Sequence, residues 1–141
     1  MEEEQGKTMA GLNVLIADDE TPITSILRSR FEKAGFRVRV ANDGQEALDL
    51  ASEEAPDAVV TDLQMPRKTG LEFAQAMKAE PRLSEVPVLL LTARGYIVEP
   101  GEQDKTNIRS IMAKPFSANE VVRCVLDMVG SAHQATGKES A

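Results

Sequence analysis

Short apolar runs and segments of helical periodicity take turns along this chain. Asn13 to Ala17 carries Val14-Leu15-Ile16 at consecutive positions, too short for a buried helix and suited to a strand covered on both faces. Ala58 to Asp62 and Pro87 to Thr92, with Val88-Leu89-Leu90-Leu91, read the same way. Phe36 to Ala41 differs, because Phe36, Val38 and Val40 alternate with Arg37 and Arg39; that is an edge strand with one wet face. Arg109 to Ala113 is the fifth strand.

The segments between them are helical. After Thr21 as N-cap and Pro22 at the first helical position, Ile23, Ile26, Leu27, Phe31 and Ala34 recur toward a core, and Gly35 stops the helix. Gln45 to Glu54 turns Ala47, Leu48, Leu50 and Ala51 inward before Pro56, and Gly70 to Glu80 buries Leu71, Phe73, Ala74 and Met77 before Pro81. Ser117 with Glu120 forms a capping box for a last helix whose stripe is Val121, Val122, Val125, Leu126 and Val129, with Gly130 ending it. In the fourth crossover, Glu99-Pro100-Gly101 starts a polar helix through Thr106 that has little to bury and is expected to be short or mobile.

Such alternation requires a parallel sheet with right-handed crossovers and helices on both faces. The predicted fold is α/β, a flavodoxin-like, doubly wound (βα)5 three-layer sandwich with sheet order 2-1-3-4-5. Residues 12–130 form this one domain, 1–11 a flexible acid-rich arm, and 131–141 a disordered polar tail. In this order the first and third strands are neighbours at the switch point, so Asp18, Asp19 and Asp62 converge at the carboxyl edge of the sheet, where open α/β folds bind ligands.

Composition narrows the chemistry. The 141 residues suit one core, and a formal net charge of −7 argues against nonspecific nucleic-acid binding. One cysteine, Cys124, rules out an internal disulfide, and one histidine, His133, in a polar segment, makes histidine-metal or Ser-His-Asp chemistry untenable. Cys124 reads as a structural residue of the last helix's buried face, and Ile111 as a core residue of the fifth strand. No apolar stretch is long enough to span a membrane, and a reducing, cytoplasmic location fits.

Three carboxylates in one pocket stay ionised together when a cation shares it. Hard oxygens as the donors suit Mg²⁺, which would keep waters and leave room for a phosphoryl oxygen. A carboxylate so placed can act as a nucleophile and become an aspartyl phosphate. Thr92 ends the strand beside Asp62 with a hydroxyl that can bond a phosphoryl oxygen, and Lys114 ends the fifth strand with an ammonium in reach. Pro115 stiffens the next turn, where a cis Lys114–Pro115 bond is plausible.

Four pieces in this order resemble one family: Asp18-Asp19 after the first strand, Asp62 with Met65-Pro66 and Gly70, Thr92-Ala93, and Lys114-Pro115-Phe116. From about Asn13 to Val129 the chain resembles a response-regulator receiver domain of two-component signalling, the chemotaxis response regulator included. The resemblance implies that Asp62 is the phosphoacceptor, that Asp19, Asp62 and the backbone carbonyl of Gln64 ligate Mg²⁺, and that Asp18 binds it directly or through water. It implies that Thr92 senses the phosphoryl group, that Lys114 pairs with it, and that the donor is a phosphohistidine on a histidine kinase or phosphotransfer protein. Slow self-hydrolysis would belong to the receiver itself, with no separate enzymatic domain. Few residues follow the last helix, so the expected protein is a stand-alone receiver that signals by protein–protein contact or in a phosphorelay.

The chain departs from the family at Ile111, three residues before the lysine, where many receivers carry a switch aromatic. Pro100-Gly101 also replaces the usual approach to the fifth strand, which touches a common output face of the family. Gln64 and Arg94 occupy positions that tune the lifetime of the phosphoryl group. Two other functions compete. A pseudo-receiver would use the fold as a phosphorylation-independent interaction module, against which the intact acid, threonine and lysine set argues. An aspartyl phosphohydrolase would carry a second acid two residues after the nucleophile, and Gln64 stands there. A nucleotide or flavin site lacks the Gly-rich loop after the first strand.

Overall fold

A computed structural model describes residues 11–93, 99, 101, 103 and 105–140, with side-chain environments through Gly130. The strands are β1 (Asn13–Ala17), β2 (Arg37–Ala41), β3 (Ala58–Asp62), β4 (Val88–Thr92) and β5 (Ile108–Ala113). The helices are α1 (Thr21–Lys33), α2 (Gly44–Glu53), α3 (Gly70–Lys78) and α4 (Ala118–Ser140). The five strands are all parallel, in the flavodoxin-like order β2-β1-β3-β4-β5. β1, β3 and β4 are buried at every position, which is why their sequences are continuous apolar runs rather than alternations.

The core has two halves, one on each side of the sheet. Leu15, Val59, Val88 and Leu90 meet Ala47 and Ala51 of α2 and Phe73, Ala74 and Met77 of α3. Val14, Ile16, Val60, Leu89 and Leu91 meet Leu27 and Phe31 of α1 and Val121, Val125 and Met128 of α4. Phe31 and Phe36 pack edge to face at 5.1 Å, which ties the end of α1 to the strand that follows.

Several local expectations change. Glu20, not Thr21, is the N-cap of α1, because the Asp18 carboxylate already accepts the Glu20 N–H at 2.9 Å and sets the turn one residue earlier. Gly130 does not end α4, which runs on to Ser140. A helical glycine costs about 1 kcal/mol relative to alanine. Ala132, Gln134, Ala135 and Lys138 beyond it are good helix formers with no proline among them. Ile26 is 60% exposed, since α1 faces the sheet through the narrower stripe Thr24, Leu27 and Phe31. Ile111 is 38% exposed rather than a core residue; β5 is the sheet edge, and Arg109, Ile111 and Ala113 alternate outward along it.

Gly35, at φ 98°, ends α1 as expected, and the Ser117–Glu120 capping box is present at 3.0 and 3.3 Å. Of the fourth crossover, Gly101 and Gln103 are helical, while 94–98, 100, 102 and 104, Arg94 included, lie outside the described residues. So does the expected arm over residues 1–10. No helix among the described residues is long and apolar enough to cross a membrane.

Candidate phosphoryl-transfer site

The carboxyl edge of the sheet gathers side chains from four strand ends. Asp18 follows β1 and is held by its own N–H bonding to the Ala41 carbonyl at 3.1 Å. Its side chain is 1% exposed. One oxygen, Oδ1, accepts the Glu20 N–H; the other, Oδ2, is buried with no hydrogen-bond partner. Burial is the main force on this group, and with the neighbouring Asp62 charge it raises the Asp18 pKa to about 6, against the lowering pull of the Glu20 N–H and of Lys114.

Asp62 ends β3 at 4% exposure. Lys114, just past β5, reaches across the end of β4 to place its Nζ 3.1 Å from Asp62 Oδ1. Burial pushes the Asp62 carboxyl up and Lys114 pulls it down, while Asp19 and Glu20 add like charge; its pKa ends above the ordinary carboxylate value. Burial disfavours the Lys114 ammonium, but Asp62, Asp18 and Glu20 outweigh it, so its pKa is raised too. The acids around it therefore keep Lys114 protonated, while burial works against the charged form of Asp62.

Thr92 is buried on β4, one residue past Leu91, the register partner of Asp62. Its carbonyl accepts the Lys114 N–H at 2.8 Å, which seats the lysine at the edge, and the Lys114–Pro115 bond is cis. Asp18, Asp62, Thr92 and Lys114 are thus brought to one edge. Asp19 stands exposed beside them, its charge felt at Asp62, and the Gln64 side chain is exposed on the loop after β3.

That loop is braced from two sides. Gly70 opens α3 directly on β3: its N–H bonds to the Leu63 carbonyl at 2.9 Å, and a Cβ there would overlap the Asp62 carbonyl oxygen. Thr69 caps α3 with a complete capping box to Glu72. Further out, Arg67 sits at φ 70°, a region that side chains avoid, within a tight turn closed by Lys68 N–H on the Pro66 carbonyl at 2.7 Å. Arg67 pairs with Asp43 at 3.0 Å, and the Lys68 carbonyl packs on Gly44 where a Cβ would clash. Asp43 meanwhile caps α2 through the Glu46 N–H.

Sequence reasoning missed this bracing, which joins loops distant along the chain and leaves no local pattern. It also passed over Glu20. Carboxylate oxygens of Asp18, Asp19 and Glu20 all lie within 4.8 Å of one another, and Glu20 Oε2 is 3.9 Å from Lys114 Nζ. The available signal was a third acid directly after the Asp18-Asp19 pair.

The model of the response regulator receiver domain matches residues 14–126. The chain belongs to that family. It is a receiver domain of the response regulators of two-component signalling, and the resemblance read from its four motifs holds. Among relatives, a probable transcriptional regulator ycf27 of Guillardia theta is 37% identical over 80% of this chain and 44% of its own length. Response regulator MprA of Mycolicibacterium vanbaalenii is 34% identical over 79% of this chain and 47% of its own length. The chain therefore spans about half the length of these curated relatives. A putative response regulator from Chloroflexus aurantiacus superposes with a TM-score of 0.77 at 29% identity, covering 84% of this chain and 98% of that one.

Receiver domains bind Mg²⁺ at an acidic cluster. The residues here fit such an ion: the side-chain donors are all carboxylate oxygens, and the buried Asp18 Oδ2 without a partner is a ligand atom suited to a cation.

Proposed function

We propose that this receiver accepts a phosphoryl group on Asp62 from a phosphohistidine of a histidine kinase or histidine phosphotransfer protein, in an Mg²⁺-dependent reaction. The observation that carries it is the Asp62 carboxylate, buried at a strand end, 3.1 Å from the Lys114 ammonium and beside an unpartnered oxygen of Asp18. Asp62 oxygen attacks phosphorus as the bond from phosphorus to the donor imidazole nitrogen breaks, and the imidazole leaves with the bonding pair. Asp18, Asp19, Asp62 and the backbone carbonyl of Gln64 would hold the metal, which supplies positive charge against the transferring oxygens. Lys114 neutralises a further oxygen, and moves from Asp62 to the phosphoryl group with little travel. Thr92, buried one strand over, supplies a hydroxyl to the same group.

A phosphoryl group arriving from another protein needs a surface to deliver it. Beside Lys114 an apolar groove of about 340 Å³ runs between α1 and the segment after β5, lined by Ile23, Ile26, Leu27, Pro115, Phe116 and Ala118. The exposed Ile26 lies on its rim, and we take this groove to be the donor's seat. Output goes by protein–protein contact or onward phosphotransfer; the net charge of −7 makes the receiver itself a poor ligand for nucleic acid. A reducing cytoplasm suits its one free cysteine.

The test is incubation with acetyl phosphate, with and without Mg²⁺, followed by intact mass. A phosphate adduct that needs Mg²⁺ and disappears in Asp62→Asn is expected. No adduct, with no Mg²⁺ binding by calorimetry, would sink the proposal and favour the pseudo-receiver.

A further inference from the structure

Glu20 stands at the mouth of the site and takes no part in the transfer described above. Its backbone is fixed, with the N–H on Asp18 Oδ1 and the carbonyl accepting from Ile23 and Thr24 at 3.0 and 3.1 Å, so the side chain projects from a rigid N-cap. Its carboxylate is half exposed, shares the edge with Asp18 and Asp19, and lies 3.9 Å from the Lys114 Nζ that also holds Asp62. Four carboxylates thus face one ammonium. With a divalent cation bound the site keeps one net negative charge, and Glu20 is the carboxylate in excess.

We infer, building on the Asp62 reading above, that Glu20 is a specificity-determining residue: its charge at the entrance discriminates against dianionic phosphodonors such as acyl phosphates and favours donors of lower charge, phosphorus–nitrogen donors among them. In each transfer one bond to phosphorus breaks as the Asp62 oxygen–phosphorus bond forms. Acetate leaves acetyl phosphate as the anion, and ammonia leaves phosphoramidate from a nitrogen that already carries its proton. Both donors present the same dianionic phosphoryl group, and the unit of charge by which they differ is the ammonium of phosphoramidate, which leaves on the side away from Asp62. With Lys114 3.1 Å from Asp62 and 3.9 Å from Glu20, that nitrogen stands on the order of 6 Å from Glu20. Through a water-like dielectric at that range, one charge on the protein changes the rate by about threefold for each unit of charge on the donor.

The experiment compares acetyl phosphate, a dianion, with phosphoramidate, a monoanion, at saturating Mg²⁺, on the full chain, as Glu20→Gln and as the charge-keeping Glu20→Asp. The expected result is a rate ratio, acetyl phosphate over phosphoramidate, that rises about threefold in Glu20→Gln, stays unchanged in Glu20→Asp, and converges with the wild-type ratio near 1 M salt. A Glu20→Gln variant that speeds or slows both donors equally would overturn the inference, because a release of Lys114 or a steric change acts on both alike. Adducts that form on wild type with an unaltered ratio in the variant overturn it while leaving the Asp62 reading intact; no adduct from either donor on any of the proteins overturns both.

Discussion

Removing the charge of Asp18 should make the metal-free protein more stable. Asp18 is 1% exposed with an unpartnered oxygen, and burial raises its pKa from 3.8 to about 6. A carboxyl whose pKa is higher in the fold than in the unfolded chain binds its proton more tightly when folded. Stability therefore falls as pH rises from about 4 to about 6, and above 6 the full cost of the buried charge is present. A shift of about two units corresponds to about 3 kcal/mol. An asparagine in its place would keep the acceptor for the Glu20 N–H and offer its amide to the neighbouring carboxylates, so Asp18→Asn should recover most of that sum at pH 7. For a domain of this length that is roughly 10 °C in Tm. The assay is calorimetric unfolding in EDTA at pH 7 and at pH 4, where the two proteins should converge because wild-type Asp18 is then protonated. In wild type, Mg²⁺ at a hundred times its Kd should add about 2.7 kcal/mol by mass action, and Asp18→Asn should lose most of that gain. An Asp18→Asn variant no more stable than wild type at pH 7, or a gap that persists unchanged to pH 4, would refute the electrostatic account.

Three further outcomes follow from the same geometry. Gly70→Ala should cost about 1–3 kcal/mol in chemical denaturation and slow adduct formation, since its Cβ would push the Asp62 carbonyl and shift the phosphoacceptor. Phe73→Ala, in the core between α3 and the sheet, should cost about 3–5 kcal/mol in chemical denaturation, since the ring is fully buried and its loss leaves a cavity. Ile26→Asp should cut transfer from a phosphohistidine protein by roughly tenfold while leaving the acetyl phosphate rate as it was, because the small donor has no use for the apolar groove.

The order of elements was written in the chain because each strand of this sheet is its own apolar run. Val14 to Ile16, Ala58 to Val60 and Val88 to Leu91 need cover on both faces, and the helices between them supply it. The acidic edge was legible too: parallel strands all end on one side, so Asp18, Asp62 and Thr92, each at a strand end, and Lys114, just past one, had to meet there. What tertiary structure alone decided are contacts between segments far apart in sequence. Arg67 bracing on Asp43, Gly70 pressed against the Asp62 carbonyl, and Glu20 sharing Lys114 with Asp62 depend on distances that no periodicity encodes. Exposure followed the same division. Ile26 and Ile111 carry the apolar signature of core residues, and local pattern assigns them inward; the narrow stripe of α1 and the edge position of β5 leave both facing out. Hydrophobicity states what a side chain would gain by burial, while the packing of neighbouring elements decides whether anything is there to bury it.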